Sequence, residues 1–486
     1  MLTVISIIVV SLLLLGVATV LTRRIKWFSE ARAMTAPVFA LTLIPAFYTV
    51  FGTSYQIDLM AAEGVRQWWY YAVSWYPAYV LGILLAGMIR STGQHLTLPD
   101  RFSHHGQLSE FLASIVSFIY LMPLDVMFML GIMIWMLTGY IAPIPLCIII
   151  AGVAVVYFTA KFGWAGYSLP GILYFVFMAA GVGVVSLILV THAGGASTLL
   201  SNLDKSMLTP WFTDFNGFLQ GLTDPATLIW FLMGFAFIID PMVWQRFSLA
   251  DTEKSARTGM IFAFLFWIVF DISTVWTGLA VSQLALEGEF YLDAALRVLP
   301  GIWAGLVMSG NLMAALAGGS AYLHAGGMIF AQNIAKSLGY VKWETTVGDK
   351  ESKQWYEKGV YVLGTITIII TLILNFLMPD DPTTIAWLVN SGLLFGGLFF
   401  PLLVGGLFFR DKIPHRAVST GIVFGLVTTL AFMIYGFIYP NATSILTFGI
   451  TSATATGSPY IDASRILGFI ASIIGTAIGG LLSIRR

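Results

Sequence analysis

Residues 47–55 read FYTVFGTSY and lie inside an apolar run, 36–56. The hydrocarbon core of a bilayer is about 30 Å thick, so a helix needs about 20 apolar residues to cross it. The run is long enough. Its middle nevertheless carries Phe51, Gly52, Thr53 and Ser54, residues that suit a helix whose backbone is interrupted at mid-membrane. A second run, 226–244, contains FLMGFAFIIDP at 231–241, with Gly234 and Pro241. Two readings stand for this pair. Glycine and proline are commoner in membrane helices than in soluble ones, which makes them ordinary; alternatively, two helices are broken so that freed backbone groups face a solute or ion.

Composition fixes the solvent. Hydrophobic residues make up 58% of the 486 and charged residues 10%, against about 25% charged in a soluble domain; mean hydropathy is +0.87. The chain is therefore expected to be a multi-pass protein of the cell membrane. Formal net charge is zero, so nothing points to nucleic acid. Cys147, the one cysteine, reads as a small core residue.

Thirteen apolar runs are long enough to span, the first free of a small-residue cleavage site before RRIK. Of the 24 Lys and Arg, 20 fall in one set of loops, which places the amino terminus outside and the carboxyl terminus inside. An odd count lets two groups of five helices run in opposite senses. The expected division is an additional helix in 1–35, a first repeat in 36–192, an outer loop in 193–225, a second repeat in 226–408 and two further helices in 409–486. Asn441-Ala-Thr is a glycosylation sequon on the outer side.

Four short segments suggest a family. DPMVWQRFSLADTEKSARTG (240–259) carries Gln245 and Arg246 after the seventh span; HLTLPDRFSHHG (95–106) follows the third; VVYFTAKFGWAG (155–166) leads to the sixth; FAQNIAK (330–336) leaves the ninth. In this order they resemble the solute:sodium symporter family. The resemblance implies a leucine-transporter-like fold, alternating access around a central site, and symport of a small solute with sodium.

It also implies where sodium would bind. Aligned on FAQNIAK, the family's pair of hydroxyl residues falls on Gly326 and Gly327; aligned on KFGWAG, its T-D pair falls on Pro170 and Gly171. Sodium prefers hard oxygen ligands, and none of these offers one, so the usual site is expected to be degraded. The same region, AALAGGSAYLHAGG (314–327), has a packing reading for Gly318, Gly319 and Ser320, because small residues let membrane helices approach closely.

Other groups could couple transport. Asp125, Asp240 and Asp271 lie within spans, where a charge costs about 2.5–3.5 kcal/mol on insertion scales. Burial disfavours the charged carboxylate, which makes proton binding usable for coupling. Asp240, one residue before Pro241, has an equally good reading as a helix cap or a partner for Arg246. His324 could answer an aspartate or simply bond a backbone carbonyl. Phe51, Phe235 and Phe237 could close over a solute or pack in the core. No Lys or Arg is expected within a span, hence no clamp for an anion.

The sequence thus predicts a secondary active transporter of a small organic solute, such as an amino acid, monocarboxylate or urea-like compound, with sodium or protons as coupling ion and no organic cofactor. A membrane sensor and an integral-membrane enzyme are the competing classes. The first lacks an appended signalling domain and the second lacks clustered acid, base or metal ligands.

Overall fold

The computed structural model describes residues 34–49, 51–91, 96–208, 216–217, 219, 225–341, 350–377, 382–409, 412–439 and 459–484. The expected first helix and the Asn441 sequon lie outside them. Named in chain order, the principal helices are α1 (Ala36–Tyr48), α2 (Gln56–Glu63), α3 (Tyr76–Ser91), α4 (Gln107–Tyr120), α5 (Leu124–Leu137) and α6 (Ile144–Met178). They continue with α7 (Pro225–Gly234), α8 (Ala236–Ile239), α9 (Pro241–Leu249), α10 (Glu253–Leu284), α11 (Gly301–Ile329), α12 (Lys350–Leu377), α13 (Pro382–Pro401), α14 (His415–Ile438) and α15 (Pro459–Ile484).

Ten helices among the described residues are long and apolar enough to cross a membrane, or eleven with the bent pair α1–α2 taken as one span. The ten fall on the third to sixth and eighth to thirteenth apolar runs. The second and seventh runs are the interrupted ones.

In the second run, Pro45 lies inside α1 near its end, where a missing N–H weakens the ladder. The helix stops at Tyr48, and the Thr49 N–H closes the last turn on the Pro45 carbonyl. Thr49 then adopts φ 47°, ψ −162°, a region costly for a β-branched residue. One π-helical turn, Phe51–Tyr55, leads into α2 at a bend of 70°. Gly52 is required there: a Cβ on it would lie 2.3 Å from the Tyr48 ring.

The seventh run breaks at Gly234, whose missing side chain lets the backbone approach the Ser74 carbonyl, and again at Asp240. Asp240 has extended backbone angles, Pro241 opens α9, and the Asp240 carboxylate accepts from the Met242 and Val243 N–H groups at 2.7 and 3.2 Å. A proline at the first helical position and an aspartate cap before it satisfy backbone groups that lipid cannot.

Met34, just before α1, pairs with Ala250, just after α9, through Met34 N–H to Leu249 and Asp251 N–H to Met34. The start of one broken span therefore lies beside the end of the other. The two run in opposite senses, as an inverted pair requires.

Two expectations need correction. The fourth run is two helices, because α4 ends at Tyr120 and α5 begins after Pro123. The fifth and sixth runs are separate spans, Ile144–Gly163 and Gly171–His192, divided by a kink at Gly163, φ 52°. Arg246, taken as a loop residue, is buried, as are Arg101 and Arg465, since α9 carries the seventh run to Leu249. The Arg246 guanidinium donates to the Met242 carbonyl at 3.0 Å and to the Thr42 carbonyl at 3.5 Å.

The core is built around α1, which packs on α6, α10 and α11, with α10 also against α2 and α3. Small residues make this possible. A Cβ on Gly318 of α11 would stand 2.4 Å from the Thr49 methyl, so the packing reading of that glycine holds.

Candidate functional site

The two faults in the second and fourth runs open on one cavity. Phe47, Tyr48, Thr49, Gly52 and Gln56 border it from the α1–α2 break, and Tyr120, Met122, Pro123, Leu124, Asp125 and Val126 from the α4–α5 break. Trp75 and Tyr79 close one side, with Asp271 of α10, Tyr322 of α11 and Asn390 of α13 completing the wall. It offers about 80 Å³. At about 10–15 Å³ per water centre, that is room for several waters.

Asp125 stands in the first turn of α5, where the helix dipole favours an anion. Among the described residues no side chain donates to it, and it is only half-buried because it faces the cavity. Asp271 is 3% exposed. Its carboxylate accepts from the Tyr76 hydroxyl at 2.8 Å and makes a long contact of 3.5 Å with the Gln56 amide, which also donates to Thr274 at 3.2 Å. Two neutral donors orient this carboxylate without cancelling its charge. Asp125 and Asp271, the deeper aspartates of the sequence, are thus brought to one chamber.

Asp240 is elsewhere. Besides capping α9 it accepts from Tyr120 at 2.8 Å and Tyr322 at 3.0 Å. Both tyrosines also border the cavity, so two phenols stand between Asp240 and the cavity and tie the α4–α5 break to the α8–α9 break.

His324 does not border the cavity; its Nδ1 lies 2.8 Å from the Tyr356 hydroxyl of α12. Phe237 does not border it either. It is buried in an aromatic cluster behind the wall, 5.0 Å from Phe47 and 4.9 Å from Tyr79 between ring centres. Phe235 packs at 6.2 Å on Phe399. Their role as gates over a solute is not supported by these positions. Thr53 is buried and donates to the Thr49 carbonyl at 3.2 Å, and the Phe51 side chain lies outside what is described.

Gly326 and Gly327 face α12, their missing Cβ positions filled by Leu363 and by Val360 and Tyr356. They do not reach the α1 break. The α11 residue that does is Gly318, where an added Cβ would lie 2.4 Å from the Thr49 methyl and 3.4 Å from the Ala46 carbonyl. Gly171 does approach α1, at Thr42.

Three of the four sequence segments that suggested a family come together outside the cavity lining. The Arg101 guanidinium lies 5.2 Å over the Trp244 ring, next to Gln245 and Arg246. Thr97 donates to Asn333 at 2.8 Å, and the Asn333 amide donates to Asp100 at 2.6 Å and to Glu110 at 2.9 Å. TLPDR, WQR and FAQNIAK thus lie near one end of the bundle.

Sequence reasoning missed Gln56, Tyr76, Tyr120, Tyr322, Trp75, Tyr79 and Asn390. A signal existed for the tyrosines, since a buried phenol needs a partner, but 70 aromatic residues among 486 gave no reason to choose these.

The model of the sodium:solute symporter family matches residues 58–428. No match is found among curated protein sequences. Among solved structures, a Na+-coupled sialic acid symporter in a substrate-bound outward-open state superposes with a TM-score of 0.73 at 15% identity, covering 99% of this chain and 98% of its own. The manganese transporter of Eremococcus coleocola gives 0.53 at 15% identity over 92% and 95%. MhsT in complex with L-phenylalanine gives 0.52 at 14% identity over 93% and 100%. At these identities the likeness is one of fold.

Proposed function

The chain belongs to the sodium:solute symporter family, and from that premise we propose that the cavity between the α1–α2 and α4–α5 breaks is its transport site. The protein is a multi-pass transporter of the plasma membrane. In the proposed reading a small organic solute binds in the cavity, and the two repeats, 36–192 and 226–408, rock about it so that the site opens to each side in turn. The opposite senses of the two broken spans support that division. The amino terminus is placed outside and the carboxyl terminus inside on the distribution of basic residues.

The single observation that carries the reading is the meeting of Asp125 and Asp271 in a chamber walled by interrupted helices. Backbone breaks and buried charge are both costly in lipid, and here they coincide.

Sodium is the coupling ion to which family membership points. The contact between α11 and the α1 break presents Gly318, without a hydroxyl, so α11 offers an ion no side-chain oxygen at that position, and the oxygens left beside it are the Thr49 hydroxyl and backbone carbonyls such as that of Ala46. This keeps the inference of a remodelled sodium seat, moved from Gly326 and Gly327 to Gly318. One observation favours protons instead: Asp271 is buried with only the neutral Tyr76 and Gln56 as side-chain partners among the described residues. A buried charge left without a counter-charge is expensive, and a proton or a cation would neutralise it.

Purified protein in liposomes, given a panel of radiolabelled solutes under a sodium gradient, a proton gradient and neither, tests this. Concentrative uptake under one gradient supports symport. Absence of gradient-driven uptake for every solute would contradict the transport reading.

A further inference from the structure

We propose that the cavity selects a solute bearing an ammonium group, seated between the Asp125 carboxylate and the surrounding aromatic rings; this rests on the cavity being the transport site. Three observations lead to it. Among the described residues the lining contains two carboxylates and no lysine, arginine or histidine. Six aromatic residues share the wall: Phe47, Tyr48, Trp75, Tyr79, Tyr120 and Tyr322. The remaining polar side chains, those of Gln56, Thr49 and Asn390, are neutral.

Charge decides the class. An anionic solute would meet two carboxylates in a medium where water cannot screen them, with no cation on the wall. Arg246 is buried, but its guanidinium donates to the Thr42 and Met242 carbonyls and is absent from the lining. A neutral polyol would leave the Asp125 carboxylate without a counter-charge. An ammonium group supplies that charge, and ring faces attract it when it is stripped of water.

The two carboxylates are not equivalent. Asp271 is already held by Tyr76 and Gln56. Asp125 faces the cavity with no side-chain donor among the described residues, which makes it the seat for the solute and leaves Asp271 for the coupling ion. Size narrows the class further. A space of about 80 Å³ holds about five to eight centres of water size, enough for a small amine or quaternary ammonium compound.

Equilibrium dialysis of the full chain in lipid nanodiscs tests the assignment, with radiolabelled choline, tetramethylammonium and ethylammonium as probes. Acetate, urea and 3,3-dimethyl-1-butanol, the uncharged counterpart of choline, are the controls. At least one ammonium probe is expected to bind, with 3,3-dimethyl-1-butanol bound about thirtyfold more weakly or worse. Asp125→Asn should weaken the ammonium probe by about the same factor, and Trp75→Phe by about threefold. An unchanged thermal midpoint for each variant shows that the fold is kept, and Asp125→Glu should restore part of the affinity.

Binding of a control with no ammonium probe bound overturns the assignment, as does an Asp125→Asn protein that binds the ammonium probe as before. Failure of every ammonium probe overturns it too. Liposome uptake separates this from the transport reading. Ammonium binding without any transport sinks that reading and leaves the selectivity, whereas concentrative uptake of an uncharged or anionic solute without ammonium binding does the reverse.

Discussion

At the scale of single residues, Tyr76 and Gly52 make the sharpest claims. The Tyr76 hydroxyl is the closest donor to Asp271, and a hydrogen bond to a charged group is worth about 1.5–3 kcal/mol. Tyr76→Phe should lower gradient-driven uptake at least tenfold while Asp271→Asn abolishes its gradient dependence; normal coupled uptake in both variants would remove Asp271 from the mechanism. Gly52 has no room for a methyl beside Tyr48, and overpacking typically costs about 1–3 kcal/mol. A Gly52→Ala protein is predicted to melt earlier in a thermal-shift assay and to lose uptake, and wild-type behaviour would show that the ring moves freely. Asp125 and Asp271 were legible in the sequence because a charge in lipid is conspicuous. Gln56, Tyr120 and Tyr322 were not, because an amide or phenol in an apolar run carries no comparable penalty and their contacts bridge distant parts of the chain.

At the scale of elements, the breaks themselves are the functional parts. Thr49 occupies a backbone region suited to glycine, at a cost of about 1–3 kcal/mol, while glycine loses about 0.5–1 kcal/mol in chain entropy on ordering. Thr49→Gly is therefore expected to melt at or above the wild-type temperature, and a clear fall would mean that the methyl packed on Gly318 matters more than the strain. Asp240 caps α9 and receives two tyrosines. Asp240→Asn retains a capping oxygen and should be milder than Asp240→Ala, for which loss of the cap alone costs about 0.5–2 kcal/mol; equal melting of the two would argue against the cap. The breaks at Gly52 and at Pro241 were readable as glycine and proline at mid-run. That at Pro123 was not, because the hydropathy of 110–138 measures the length of an apolar stretch and not the continuity of its helix. Gly326 and Gly327 face α12, and they stand at least eight residues from Gly318, about 12 Å along a helix, a separation that an alignment anchored at FAQNIAK alone does not register.

At the scale of the whole molecule, the fold follows from satisfying backbone groups in lipid, and its exceptions collect around one chamber. Composition and the spacing of apolar runs gave the helical membrane class. The convergence of the α1–α2 and α4–α5 breaks on Asp125 and Asp271 depends on packing between segments far apart in the chain, which no local pattern encodes. The central claim is that this chamber opens to each side of the membrane in turn. Replacing Cys147, the chain's one cysteine, by alanine and Asn390 of the lining by cysteine provides the test, with a membrane-impermeant thiol reagent applied to either face of oriented vesicles. Labelling from both faces, each changing in the opposite direction when the driving gradient is imposed, is the predicted result. A cysteine reached from one face only, under every gradient and solute, would contradict alternating access at this site.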